Sequence, residues 1–334
     1  MPATIKDVAK RAGVSIATVS KMINGGNVLE DNRVAIEQAI EELNYRVNTV
    51  ARGMKTRRSM TVGVLIPSLA DYYGVSVLSS IDRELYRRGY STIICDYSET
   101  DPEGARMKLD FLMNKQVDGI IMQPINVQKK DLTRLESEKT PIVFIDVGVE
   151  GSGHDSVTID NEGITYEVTE HLIANGHKRI GLIVGVPGVR TTDDRVAGYR
   201  KALAVAGIKP NPELIRMIDI SEESGYEGMR SLARMPEAPT AVFTAGHDLT
   251  LGALRFLNEE GKRIPEDISF VGFETQSIAR IYHPKLTIGL QPIMEIGRTA
   301  AEFLVERMVG EYTKEARDIR LKASLEIGAS VLPV

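Results

Sequence analysis

The 334-residue chain has a single cysteine, Cys95, and no tryptophan. A lone thiol excludes an internal disulfide framework and any zinc site built on clustered cysteines, and it fits a reducing compartment. The five histidines (154, 171, 177, 247 and 283) are scattered, and none belongs to a paired ligand motif such as H-E-x-x-H. The G-x-x-x-x-G-K-[ST] phosphate loop, the G-x-G-x-x-G turn and the G-x-S-x-G elbow are also missing. An enzyme, a bound metal and a cofactor are therefore not expected. No apolar run approaches the roughly 18 to 20 residues of a membrane span. The first residues, MPATIKDVAKRAG, place Lys6, Asp7, Lys10 and Arg11 where a secretory leader needs its apolar stretch, so a cytoplasmic location is expected. What is present is 43% hydrophobic and 26% charged, a balance that supports a substantial core and two or three domains.

The net charge of -5 is unevenly spread. Residues 1–58 hold ten Lys/Arg against six Asp/Glu, leaving 31 basic and 40 acidic residues for the remainder. A basic head on an acidic body would grip a polyanion through the head alone, although ordinary surface also carries such a charge. The head reads as helices. Ile5, Val8, Ala9 and Ala12 recur at helical spacing behind Thr4, with Asp7 three residues on as in a capping box. Gly13 breaks that helix. Ser15 is placed to cap a second, Ile16 to Asn24, which Gly25 and Gly26 end. A third apolar stripe (Ile36, Ala39, Ile40, Leu43) runs from about Asp31 to Asn44. Two short helices around a tight glycine-containing turn, then a supporting helix, form a helix-turn-helix pattern.

From Thr61 the rhythm changes. Apolar runs recur at Val62–Ile66, Thr92–Cys95, Gly119–Met122, Ile142–Ile145, Ile180–Val184, Ala241–Thr244 and Ile268–Val271. Amphipathic stretches such as 77–88, 103–114, 162–175, 196–206 and 247–260 separate most of them. This alternation predicts parallel sheets flanked by helices, and its length predicts two doubly wound α/β subdomains. Ligands of such sheets sit at the carboxyl ends of the strands, here in the cleft between subdomains.

Two stretches of the head carry candidate chemistry. On the second helix, Val19, Met22 and Ile23 share the core side, leaving Ile16, Ala17, Ser20 and Lys21 outward. A helix entering the major groove offers its N-terminal residues to base edges: Lys21 suits guanine O6 and N7, and Ile16 and Ala17 suit thymine methyls. Thr18 and Ser20 suit phosphate, which sets register but not sequence. A generic amphipathic helix with a solvated Lys21 would give the same pattern. Asn48–Lys55, NTVARGMK, is too short to hold itself helical in water. Arg52 and Lys55, with Arg57 and Arg58, would supply phosphate contacts. Met54 is an apolar side chain of the kind that minor-groove proteins wedge between base steps. A plain basic linker is the simpler alternative for this stretch.

Residues 4–25, TIKDVAKRAGVSIATVSKMING, resemble the DNA-binding head of the lactose-repressor (LacI/GalR) family, and NYRVNTVARGMK resembles that family's hinge helix. The likeness continues through VGVLIPSLADYY, QVDGIIMQP, VTIDNEGITYEVTEHLIANGHKRIGLI, DRVAGYRKAL, ISFVGFET and HPKLTIGLQP, and so covers essentially the whole chain. It implies a cytoplasmic transcription regulator, at least a homodimer, binding a palindromic double-stranded operator, with a body folded like a periplasmic sugar-binding protein. It divides the chain into a helix-turn-helix domain (1–46), a hinge helix and linker (47–60), and an effector-binding and dimerisation body (61–334). In the body, subdomain one takes about 61–158 and 290–317, and subdomain two about 159–287 and 318–334. By the same likeness Ile16, Ala17 and Lys21 read bases, Thr18 and Ser20 touch phosphate, and Met54 stands where most members carry a wedging leucine. Val50 and Ala51 would face the partner's hinge helix.

The effector pocket transfers less fully. Arg195 matches the family's effector-binding arginine, whose fork of donors suits sugar hydroxyls or a carboxylate. Glu274 stands where the family usually has Asp. Gly246 and His247, followed by Asp248, replace a common Asn-Asp pair. Tyr73 replaces an aromatic of the first subdomain, Asp71 occupies an Asn position, and Asp146 follows the strand PIVFID. A structural place in the cleft wall is the alternative for each. The resemblance implies a repressor controlled by a sugar-like small molecule, and leaves open whether that molecule releases DNA or favours binding. A second possibility is a catabolite-control-type regulator with a phosphocarrier protein as corepressor, since the Ile-Ala…Lys triplet is similar to that subgroup's. A third, from another class, is a sugar-binding transport protein. The ending ASVLPV carries no heptads, so a tetramer built on a C-terminal coiled coil is not expected.

Overall fold

A computed structural model describes residues 3–23, 26–45, 58–98, 101–274, 276–312 and 314–334. The chain divides into two compact units, residues 1–59 and 60–334.

The first unit is built from helices α1 (Ile5–Ala12), α2 (Ile16–Ile23) and α3 (Glu30–Glu42). Each is too short to persist alone, so caps and a shared core must hold it. The Asp7 carboxylate accepts hydrogen bonds from the Thr4 backbone N–H at 2.8 Å and the Thr4 hydroxyl at 2.7 Å, fixing the start of α1. Gly13 ends it in the left-handed region at φ 67°, where a side chain would be strained. Two residues later the Ser15 hydroxyl accepts from the Thr18 N–H at 3.1 Å and opens α2. Val8, Ala9, Val19, Ile36 and Ala39 are buried together, with Ile5, Met22, Ile23, Ile40 and Leu43 packed around them.

The second unit holds two six-stranded sheets. The first lobe contains β1 (Thr61–Ile66), α4 (Tyr72–Arg87), β2 (Ser91–Asp96), α5 (Pro102–Asn114), β3 (Gly119–Met122), α6 (Thr133–Glu138), β4 (Ile142–Ile145) and β5 (Asp155–Ile159). The second contains α7 (Asn161–Ala174), β6 (Ile180–Val184), α8 (Arg190–Val205), β7 (Ile215–Met217), α9 (Glu222–Ala233), β8 (Ala241–Thr244), α10 (His247–Glu259), β9 (Ser269–Phe273), α11 (Gln276–Ile281) and β10 (Thr287–Leu290). The chain then returns to the first lobe with α12 (Ile293–Val309) and β11 (Asp318–Leu321), and ends in the second with β12 (Ser324–Glu326). The strand orders are β11-β5-β4-β3-β1-β2 and β12-β10-β9-β8-β6-β7. Every ladder is parallel except β10 with β12.

The chain thus passes between lobes three times, at Asp160, at Gln291–Pro292 and at Lys322–Ala323. The last crossing lies beyond the boundary expected after residue 317. Asp318–Leu321 pairs in register with Ser156–Ile159, so it belongs to the first sheet. A buried ion network fixes this return strand. The Asp155 carboxylate, fully buried, accepts from Arg307 Nη2 at 2.7 Å and from the Arg317 backbone N–H at 2.8 Å and Nη2 at 2.8 Å. Burial pushes the Asp155 carboxyl upward, but the two guanidiniums outweigh it and hold it below the usual range.

Central strands are buried along their length because helices cover both faces of a parallel sheet. Val62, Val64, Ile121, Val143, Leu182, Val184, Phe243, Val271 and Phe273 are among the residues that make up this core.

Candidate functional site

On the first unit, α2 turns Val19 fully into the core and leaves Ile16, Ala17 and Lys21 exposed, with Thr18 and Ser20 half-buried. An isoleucine that is 45% exposed at a helix N-terminus, beside an alanine that leaves room for close approach, makes a small apolar step on a polar surface. Lys21 lies one turn further along the exposed side. Arg52, Met54 and Lys55, together with Val50, Ala51 and the whole of Asn48–Lys55, fall outside the described residues.

Within the second unit, the chain leaving the carboxyl end of nearly every central strand delivers a polar side chain to the cleft. Asp71, Tyr72 and Tyr73 follow β1, Gln123 follows β3, and Asp146 follows β4. From the other lobe, Arg195 comes from α8 after β6, His247 and Asp248 follow β8, and Glu274 follows β9. This is the placement that open parallel sheets give to ligand-binding groups.

The structure brings Tyr73, Asp146, Arg195, Asp248 and Glu274 into one cluster. Arg195 is buried, donating from Nε to Asn161 Oδ1 at 2.8 Å and from Nη1 to the Ala245 carbonyl at 2.8 Å. Its guanidinium lies 4.7 Å from the centre of the Phe273 ring, a cation–π arrangement that fixes its plane. Asp146 accepts from Gln123 Nε2 at 3.1 Å. Asp71 caps α4, accepting from the Gly74 N–H at 2.8 Å. Glu274 is only 6% exposed, and its Oε1 has no hydrogen-bond partner among the described residues. The same holds for the Tyr73 hydroxyl and for Gln123 Oε1.

Electrostatics follow from this crowding. Burial lifts the Glu274 carboxyl to about 8; Arg195 opposes the rise, while Asp71, Asp146 and Asp248 add to it. Burial likewise raises Asp146 and Asp248, against the pull of Arg195 on the first and of His247 on the second. Tyr73 is raised by burial and then by Asp146, Glu274 and Asp71. Cavities of about 220 Å³, bordered by Asp146 and Asn161, and about 720 Å³, bordered by Tyr72 and Glu274, open beside the cluster.

Sequence reasoning missed the pair that spans the mouth. The Tyr72 ring stacks on the His247 ring with centroids 4.2 Å apart and planes 9° from parallel. The doubled tyrosine of ADYY was a signal for Tyr72, because capping by Asp71 and burial of Tyr73 turn its neighbour toward the rim. His247 stood out only as a departure from the family's common Asn-Asp pair, which gave no hint of stacking. Asn161 and Phe273, which hold Arg195, also went unread. Asp160 behaves as a helix start: its carboxylate accepts from the Gly163 N–H at 2.9 Å.

A helix-turn-helix unit whose second helix leaves one side exposed, followed by a two-lobed body of the periplasmic-binding-protein type, defines a class of bacterial DNA-binding regulators. Residues 4–48 match the lacI family of bacterial regulatory proteins, and residues 169–331 match the periplasmic binding protein-like domain. The HTH-type transcriptional repressor PurR of Haemophilus influenzae (strain PittEE) is 36% identical over 310 residues, 92% of this chain and 91% of that protein. Its namesake from Pasteurella multocida (strain Pm70) is 34% identical over 331 residues, 98% of each. Among solved structures, the lac repressor dimer bound to operator and the anti-inducer ONPF superposes with a TM-score of 0.85 at 28% identity, covering 99% of this chain and 100% of that one. The complex of the regulator CelR with cellobiose gives 0.72 at 31% identity, covering 98% and 99%. The chain belongs to the lacI family of bacterial regulatory proteins. It is a DNA-binding transcriptional repressor, as are the two PurR relatives, which cover 92% and 98% of it. No helix among the described residues is long and apolar enough to cross a membrane.

Proposed function

We propose that this repressor works in the cytoplasm as a homodimer on a palindromic operator, and that a small sugar-like ligand between the lobes sets its affinity for DNA. Ile16, Ala17 and Lys21 read base edges, Thr18, Ser20, Arg52 and Lys55 hold phosphates, and Met54 wedges the central step. The observation that carries ligand control is the buried cluster at the strand ends, where Tyr73, Gln123 and Glu274 keep hydrogen-bonding capacity unused among the described residues. Buried polar groups left unpaired are costly, so a fold that retains several in one cleft has them ready for a guest. Each lobe also leaves apolar side chains exposed along an edge: Ile94 on β2 and Phe111 on α5 in the first, Met217 on β7 and Ile220 beyond it in the second. These edges support pairing with a second copy, in keeping with the operator-bound dimer of the lac repressor.

Ligand and DNA are then coupled through the three crossing segments. A ligand that binds one interlobe angle better than another shifts the population of that angle, and the coupling is reciprocal: DNA alters ligand affinity by the same factor. The test screens sugars and sugar derivatives, cellobiose and ribose among them, for a change in affinity between the protein and its selected operator. The ligand-dependent change disappears in Arg195→Ala, judged against that variant's own ligand-free affinity and with circular dichroism confirming the fold. A response that persists in the variant would place the ligand elsewhere.

A further inference from the structure

Acceptors in the cleft outnumber donors, and negative charge outnumbers positive. Asp71 and Asp146 reach in from the first lobe, and Asp248 and Glu274 from the second, each bearing electrostatically on at least one of the others. Arg195 is the guanidinium set against them, and two of its nitrogens are already committed to Asn161 and Ala245. His247 stands beside Asp248, at the rim. Three side chains with unused capacity are themselves nine-tenths buried, at Glu274 Oε1, Gln123 Oε1 and the Tyr73 hydroxyl, while half-buried His247 Nδ1 and Gln291 Oε1 also have no partner among the described residues. Gln123 Oε1 only accepts hydrogen bonds, and Glu274 becomes acceptor-only once its carboxyl ionises.

A guest that completes this cleft must bring donors and positive charge. A neutral sugar satisfies acceptors through its hydroxyls but leaves the surplus of carboxylates uncompensated. A sugar acid adds a further like charge to a site that already disfavours it. Building on the cleft as the effector site, we propose that the effector is a protonated amine on a polyhydroxylated ring, of the amino-sugar class, taken in preference to the neutral sugar or sugar acid of the same skeleton. Glu274 is the residue that makes the choice. Around it stand Arg195, Asp71, Asp146, Asp248 and Tyr73, and their combined effect with burial keeps it protonated near neutral pH. An ammonium arriving beside it favours the carboxylate, so binding releases the Glu274 proton to solvent.

Isothermal titration of the full chain with glucosamine, galactosamine and mannosamine, each beside its parent hexose, with glucuronate and galacturonate as sugar acids, tests this. At least one amine binds about tenfold or more tightly than its parent hexose, a gap of about 1.4 kcal/mol. At about pH 6.5, titrations in two buffers of different ionisation enthalpy then show release of close to one proton for that amine and none for the hexose. Glu274→Gln abolishes the proton release and narrows the preference. Asp248→Asn, at a half-exposed position and with circular dichroism confirming the fold, narrows it independently. Equal or tighter binding by a hexose or sugar acid that Arg195→Ala abolishes would keep the cleft as the ligand site and overturn the amine. An amine preference over the parent hexose that is unchanged in Arg195→Ala, Glu274→Gln and Asp248→Asn alike would place the amine outside the cleft and overturn both readings. Failure of every amino sugar in the panel to bind would overturn the inference about charge.

Discussion

The proposed base-reading role of Lys21 and Ile16 rests on how little a side chain needs in order to face outward. Both stand on α2 because Val19, Met22 and Ile23 took the opposite side of an eight-residue helix for the core. Helical geometry then leaves the rest of the turn to solvent. Lys21→Ala removes one donor from that face and disturbs no buried contact. The expected cost is about 1–3 kcal/mol on the selected operator, with relaxed preference at one base position. Binding to a randomised operator library, read by sequencing, checks it; an unchanged base preference contradicts the role. In the cleft, Glu274 carries the same logic inward. Its extra methylene relative to aspartate places a carboxyl among three others, and burial rather than any single neighbour dominates its titration.

At the scale of elements, α2 depends on what precedes it. An eight-residue helix gains little from its own hydrogen bonds, so the Ser15 hydroxyl on the Thr18 N–H is a large share of its local stability. Ser15→Ala is expected to cost about 1 kcal/mol, read as faster amide exchange confined to α2. Exchange no faster than in the native protein contradicts the capping account. The same local chemistry explains what was legible in the sequence. Central strands such as β3, β4 and β6 are buried on both faces and read as unbroken apolar runs. The edge strands β7 and β11 are short, with no fully buried residue, and carry no such run, so they were not seen. Helix α8 starts at Arg190 rather than 196 because its first turn, RTTDD, is polar and breaks the apolar period although it is helical. Of the cleft, the family likeness supplied Arg195, Tyr73, Asp146, Asp248 and Glu274. Composition and periodicity supplied none of them. The Tyr72–His247 stack joins residues from different lobes, and no local pattern encodes such a pair.

At the scale of the whole molecule, the proposed function divides the labour between the two units, the first reading DNA and the second sensing a ligand. The head carries a net excess of basic residues, ten against six acidic, whereas the body carries a net acidic excess, 40 against 31, and adds no net attraction for a polyanion. Binding of the intact protein to its operator should therefore weaken steeply with salt, with a slope set by the head's phosphate contacts. The three crossings at Asp160, Gln291–Pro292 and Lys322–Ala323 are where a change of angle between lobes must be absorbed. The most direct test of sequence-specific repression is selection of genomic fragments by the purified full-length protein at moderate salt, alone and with the sugar and amino-sugar panel added, followed by sequencing of what stays bound. The account predicts one palindromic site, enriched with its half-sites related by two-fold symmetry, and lost or strengthened when the effector is present. Fragments retained without any shared sequence under every condition would contradict it.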